Sequence, residues 1–169
     1  MVESVSKIWD YILFVIAFII AIVTFITQFD NTLEVNISDL TTEFVDECRT
    51  TGYISASNYQ KFTKDIYAAG NYTIEFEYNA FISYPDDDSP TGYTDGYYTY
   101  NTEDVENALF PASGETKNLK LKNKDSLTVT VKRQGKTMSS NLWSFLLGSG
   151  RSGQIVVNYS GTVGNSNEE

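Results

Sequence analysis

Chemistry at a protein site needs groups that trade protons, attack, or bind metal, and this chain is poor in them. Histidine is absent. That excludes a Ser–His or Cys–His nucleophile pair, a His-ligated zinc and a His general base. Cysteine occurs once, at Cys48, so neither a thiolate cluster nor an intramolecular disulfide can form. Ser4 and Lys7 match a Ser-x-x-Lys spacing, but beside an apolar run the match reads as coincidence. Gly148-Ser-Gly-Arg-Ser-Gly153 lacks the strand-then-helix context of a phosphate loop and reads as a hairpin or connecting loop. The best metal candidate is Asp86-Asp87-Asp88 with Asp95 and Gly96. Calcium loops place carboxylates at alternating positions. Three consecutive aspartates point in different directions, so calcium at Asp86, Asp88 and Asp95 is the weaker alternative to a solvated loop. Tyr93, Tyr97, Tyr98 and Tyr100 lie close by. They could stack on a sugar or a partner, or be half-buried strand positions. No catalytic residue, cofactor or nucleic-acid partner is expected, and the chain reads as a non-enzyme.

The informative feature is a stretch with no reactive groups. Between Asp10 and Gln28 runs Tyr11-Ile-Leu-Phe-Val-Ile-Ala-Phe-Ile-Ile-Ala-Ile-Val-Thr-Phe-Ile-Thr27, apolar and uncharged. It is roughly 25 Å long as a helix, or roughly 30 Å with Ile8, Trp9, Gln28 and Phe29, enough to cross a bilayer once. A cleaved signal peptide is the competing reading. It would need a basic start, a shorter apolar stretch and a small-x-small site. Here Lys7 stands against Glu3 and Asp10, and Thr27-Gln-Phe-Asp-Asn-Thr follows. An uncleaved anchor is therefore expected. Lys7 is the only cation near either end, which favours a cytoplasmic N-terminus and an extracellular C-terminal domain. Trp9 and Tyr11 sit where an interfacial aromatic belt would lie. The organisation expected is a tail over 1–7, a transmembrane helix over 8–29, an extracellular domain over 30–163 and a flexible tail over 164–169, in the plasma membrane. A lone cysteine in an exported domain suits a bacterial surface.

Charge is uneven. Residues 30–106 carry sixteen acids and three bases, whereas 107–167 carry two acids and eight bases. Either the two stretches fold against each other, or they form opposite faces that favour contact between copies. Lys120, Lys122 and Lys124 are the candidates for such a contact.

The elements that must position these groups follow from periodicity. Leu33, Ile37, Leu40, Phe44 and Cys48 form a helical stripe, with Thr41 and Val45 beside it and acids on the other face. This helix should stop near Gly52. It either continues the apolar helix or starts afresh at an Asn31 cap. A second helix is predicted over 55–68, capped by Ser55 or Ser57, with Tyr59, Phe62 and Ile66 apolar. Tyr72, Ile74, Phe76 and Tyr78 alternate with Thr73, Glu75 and Glu77, a strand with one wet face. Residues 85–92 read as a loop, Thr94-Asp-Gly-Tyr97 as a turn, Tyr97–Tyr100 as a strand and 102–110 as a short helix stopped by Pro111. Leu119–Leu121 and Ser126–Lys132 alternate across a Lys124-Asp125 turn. A short apolar helix over 138–147, closed by Gly148, and a strand from Gln154 to Val163 complete an α+β chain. The sheet is expected to be mostly antiparallel.

An apolar helix passing into an amphipathic one, then an antiparallel sheet, is the pilin-like plan. Phe44-Val-Asp-Glu-Cys-Arg-Thr-Thr-Gly-Tyr-Ile-Ser55 and Tyr59-Gln-Lys-Phe62 resemble the TadE-like pseudopilins of tight-adherence-type pilus systems in Gram-positive anaerobes. Leu127-Thr-Val-Thr-Val131, Phe145-Leu-Leu-Gly148 and Val157-Asn-Tyr-Ser-Gly161 add to the likeness. The resemblance implies a non-catalytic subunit of a bacterial surface pilus or secretion apparatus, its partners the membrane and other pilin-like subunits or copies of itself. Assembly would run through Phe14, Phe18, Ile22, Phe25, Leu33, Ile37, Leu40 and Phe44. One departure stands out: type IV pilins carry a Gly cleavage site before the apolar helix and a Glu inside its start. Here no Gly precedes the run, and only Asp10 or Glu3 is near. The alternative is a surface binding module using the acidic, Tyr-rich loop.

Overall fold

A computed structural model describes residues 2–148 and 156–164. The chain divides into two compact units: Met1–Val35 with Gly135–Gln154, and Asn36–Gln134 with Ile155–Glu169. The first helix, α1 (Val2–Thr51), runs unbroken through this division. No Gly or Pro interrupts it, and Asn31 lies exposed within it rather than capping a new helix. Thr24, Thr27 and Thr32 donate their hydroxyls to carbonyls four residues back, each at 2.9 Å, so these polar groups are met inside the helix. The helix stops as its sequence requires. Gly52 adopts φ +73° and donates its N–H to the Cys48 carbonyl at 3.0 Å.

The second unit is α+β. Beyond α1 it contains β1 (Tyr53–Ile54), α2 (Ala56–Ala69), β2 (Tyr72–Pro85), β3 (Tyr93–Tyr100), α3 (Thr102–Leu109), β4 (Leu119–Lys120) and β5 (Ser126–Arg133). The element α4 (Met138–Leu147) belongs to the first unit, and β6 (Val156–Thr162) returns to the second. The main sheet has the order β3-β2-β5-β6, antiparallel throughout. Gln154 and Ile155, expected at the start of the last strand, and the Gly-Ser loop after Gly148 lie outside the described residues.

Alternation places one face of this sheet inside. Ile74 pairs with Val131, Phe76 with Val129 and Tyr78 with Leu127, and all six are buried. Glu75 and Glu77 point to the wet face. Onto the buried face pack α1 and α2. Ile37, Thr41, Phe44, Val45 and Cys48 of α1 are buried, as are Tyr59, Phe62 and Ile66 of α2. Phe44 stacks on Phe62 at 4.6 Å between ring centres, and Phe76 meets both edge-on. Ser55 caps α2 by accepting the Asn58 N–H at 3.0 Å. Where β3 ends, Thr102 continues the ladder: its hydroxyl accepts the Phe76 N–H at 2.8 Å.

Three expectations are corrected. The strand β2 runs on through Pro85, where a residue without an N–H can close a ladder. Thr94–Tyr97 is strand rather than turn, with Gly96 opposite Ile82; the reversal sits at Asp86–Gly92. Leu119-Lys120 does not pair across the Lys124-Asp125 turn with β5. It pairs with Tyr53-Ile54 in a separate two-stranded sheet.

The reason for the last correction is Asp125, a carboxylate with no solvent exposure. Its Oδ2 accepts from Tyr78 Oη and from the Lys122 N–H, each at 2.6 Å. Its Oδ1 accepts the Phe81 N–H at 2.8 Å. These bonds fold residues 122–125 into a local turn, with Lys124 at φ +72°, and tie it to β2. The Asp125 carbonyl also accepts from Val163 beyond β6 at 2.8 Å. Burial, then the bond to Asp125, pushes the Tyr78 phenol upward, so it stays a donor. Asp125→Ala strands three donors, at about 1–3 kcal/mol each. We expect a loss of about 3 kcal/mol or more, read as a lower denaturant midpoint of the detergent-solubilised chain. An unchanged midpoint would show that the latch is dispensable.

Candidate functional site

The surface of α1 within the first unit is the feature that could act. Every described residue from Lys7 to Ile22 is exposed. Phe14 is 71%, Phe18 59% and Phe25 70% accessible, and Ile22 is on the same stripe. Spacings of four, four and three keep these side chains on one face. Among the described residues, α1 is the one helix long and apolar enough to cross a membrane. Its last apolar turns differ. Val23, Ile26 and Thr27 are partly covered, and Asp30 is buried. The Asp30 Oδ2 accepts the Ser139 N–H at 2.7 Å in the first turn of α4. Thr137 caps that helix, accepting the Ser140 N–H at 3.1 Å, and Gly148 closes it in a left-handed turn.

The structure divides the eight residues of the expected assembly stripe. Phe14, Phe18, Ile22 and Phe25 are open to a neighbour. Leu33 is half-buried, and Leu40 packs against the core. Ile37 and Phe44 lie inside the core, at 0% and 4% exposure, so they serve the fold of their own unit. A stripe in sequence cannot tell which of its members face a sheet and which face a second chain.

The acidic loop does not gather its carboxylates. Both oxygens of Asp86 are engaged within the hairpin end, by the Asp88 N–H and by the Thr94 hydroxyl. These hydrogen bonds hold its carboxyl below the usual range. Asp95 stands on β3 opposite Ser83. No group of three metal-ligating side chains occurs among the described residues. Tyr84, Tyr93, Tyr97 and Tyr98 are exposed on the hairpin, while Tyr100 stacks on Tyr78 at 5.3 Å.

Lys120, Lys122 and Lys124 are all exposed, and the Lys124 ammonium lies 4.3 Å from the centre of the Phe81 ring. The basic and acidic stretches meet along the β2–β5 ladder, where Lys132 pairs with Glu75 at 2.6 Å. Between α1 and α2, Leu40, Glu43, Phe62 and Asp65 border a cavity of about 30 Å³, room for one water.

Two structural carboxylates went unrecognised in the sequence. Asp125 had a signal, since a polar residue after Lys at a turn often bonds nearby backbone. Asp30 had one too: it is the first charge after the apolar run. Cys48 is core, as its place on the stripe implies. Burial, reinforced by Glu47, pushes its thiol up to about 12. We expect native Cys48 to resist maleimide at about pH 8, where an ordinary thiol is partly ionised, and to react on unfolding. The unfolded thiol ionises first, so its contribution to stability holds below pH 9.0 and falls as pH rises towards about 12. Rapid labelling of the folded chain would refute this placement.

Comparison with protein-family models, with curated proteins and with solved structures finds no match for this chain.

Proposed function

We propose that the chain is a non-catalytic, membrane-anchored, pilin-like subunit of a bacterial surface pilus or secretion apparatus, assembling through its N-terminal helix. The observation that carries this is the contrast between the two parts of α1. From Tyr11 to Phe29 it has no charge and an open aromatic stripe; from Ile37 to Cys48 its apolar face is core of an α+β unit. Residues 8–29 act as a single-pass anchor in the plasma membrane, with Lys7 on the cytoplasmic side and the α+β unit outside. A leader removed by cleavage fits less well, because no small-x-small site follows the apolar run in Thr27-Gln-Phe-Asp-Asn-Thr32. Phe14, Phe18, Ile22 and Phe25 pack against the same stripe of another copy or of a related subunit. Van der Waals packing drives such association where lipid replaces water.

A second reading, a surface module that binds a ligand, is favoured by the exposed Tyr84, Tyr93, Tyr97 and Tyr98 on the hairpin. Replacing Tyr93 and Tyr97 by Ser separates the two. Assembly is unaffected under the first reading, and surface adhesion is lost under the second.

Three outcomes are expected. Mass spectrometry of the membrane-extracted protein finds residues 1–29 retained; a mature start after Phe29 refutes the anchor. In a Cys48→Ala background, Phe18→Cys oxidises to dimers in membranes, whereas Ile20→Cys on the opposite face does not. Equal cross-linking at both sites means random collision. Reversing Lys120, Lys122 and Lys124 to Glu keeps the chain folded but weakens cross-linking, more so at low salt. Exposed pairs contribute about 0–1 kcal/mol each, so charge sets register and helix packing supplies affinity. Unchanged cross-linking would remove the lysines from the interface.

A further inference from the structure

The helix α4 is built inside out. Its ten residues, Met138 to Leu147, contain no charge. The most deeply covered side chains are polar and small, with Leu142 half-buried beside them. Thr137 and Ser140 are buried, and Ser144 is half-buried, with its hydroxyl donated to the Ser140 carbonyl at 2.8 Å. The side turned outward is mostly apolar, with Asn141 an exposed polar side chain on it. Phe145 is 85% exposed, and Met138, Trp143 and Leu146 are exposed as well. A helix in water arranges these two faces the other way round.

Its position supplies the reason. The N-terminus of α4 is tied to Asp30, one residue beyond the end of the apolar run at Phe29. Val23, Ile26 and Thr27, on the same face of α1, are partly covered, unlike all described residues from Lys7 to Ile22. The other described piece of this unit is the segment that contains α4. The short helix therefore lies against the last turns of the apolar run, at the level where a bilayer ends. Lys136 is exposed just before the Thr137 cap, and a cation at a membrane edge is attracted to phospholipid headgroups.

We propose that α4 is a membrane-interface helix, its Met138, Trp143, Phe145 and Leu146 sunk into the boundary between headgroups and acyl chains of the outer leaflet. The inference rests on the anchor reading of α1. Its occupant is lipid, because the exposed apolar face is continuous in level with an apolar helix surface that already demands lipid. Tryptophan at such a boundary keeps its ring in the apolar zone and its N–H near water. Docking also shields a carboxylate at the membrane edge: Asp30 is turned to the helix N-terminus rather than to lipid.

The chain has two tryptophans, Trp9 and Trp143, so single substitutions isolate each. The full chain with Trp9→Phe is reconstituted into vesicles of zwitterionic and anionic phospholipid, with bromine placed either high or deep on the acyl chains. Trp143 should emit to the blue of free tryptophan, lose most of its emission to the shallow bromine, lose less to the deep bromine, and resist aqueous iodide. Iodide quenching without bromine quenching overturns the proposal. So does protection from iodide with no response to bromine, which would mean that protein, such as a second copy, covers the face. The Trp143→Phe chain reads the anchor separately through Trp9. If Trp9 is quenched by bromolipid while Trp143 is not, the interface helix fails and the anchor stands. If neither responds and the protein does not float with the vesicles, the anchor fails and the inference falls with it.

Discussion

The α+β unit depends on one helical face: Ile37, Thr41, Phe44, Val45 and Cys48 of α1. A four-stranded sheet with one wet side must bury the other side on something. Here that something is α1 and α2, whose aromatic side chains meet Phe76 at the middle of β2. A Cβ at Gly161 of β6 would collide with the Arg49 side chain, which passes over it to donate to the Thr162 carbonyl at 2.8 Å. Asp46, one turn earlier, accepts from both Arg49 and the Tyr159 hydroxyl. The apolar contact sets the distance between helix and strand, and these polar bonds fix how the helix end sits on β6.

Asp125 does for the strand connections what this face does for the layers. Burying a carboxylate is costly unless its lone pairs are met. This one is met by a side chain and an amide of β2 and by an amide of its own turn. The neutral Tyr78 donor and the carboxylate are therefore interdependent. A related economy appears at Tyr59, whose hydroxyl donates to Glu106 at 2.5 Å and whose phenol is pushed upward by burial and by that bond. Both tyrosines join an element to a later part of the chain while keeping their rings in the core.

Legibility followed locality. The α1 stripe, the Ser55 cap, the end at Gly52 and the alternation of β2 each depend on residues within a few positions, and the structure has them where periodicity and capping chemistry put them. The partner of β4 could not be read, because Leu119-Lys120 alternates equally well against any short strand. Gly96 suggested a turn, since glycine is commonest there; in β3 it faces Ile82 without any backbone need for flexibility. At the candidate site, the uncharged run and its outward aromatic stripe were plain. That Ile37 and Phe44 belong inside, and that Asp30 reaches α4 more than a hundred residues away, required long-range packing that no window of sequence contains.

The sheet order has a consequence for how the molecule is made. The strand beside β5 that completes the buried face is β6, the last of the described elements, and α4 intervenes between the two. During synthesis, the apolar face of α1 emerges well before the strand that carries Gly161 and the Thr162 carbonyl. Until then Val129 and Val131 border an unpaired edge, and Arg49 lacks its acceptor. Closure thus waits until α4 and β6 have both been made, and a growing chain must be kept from pairing that edge with a neighbour's.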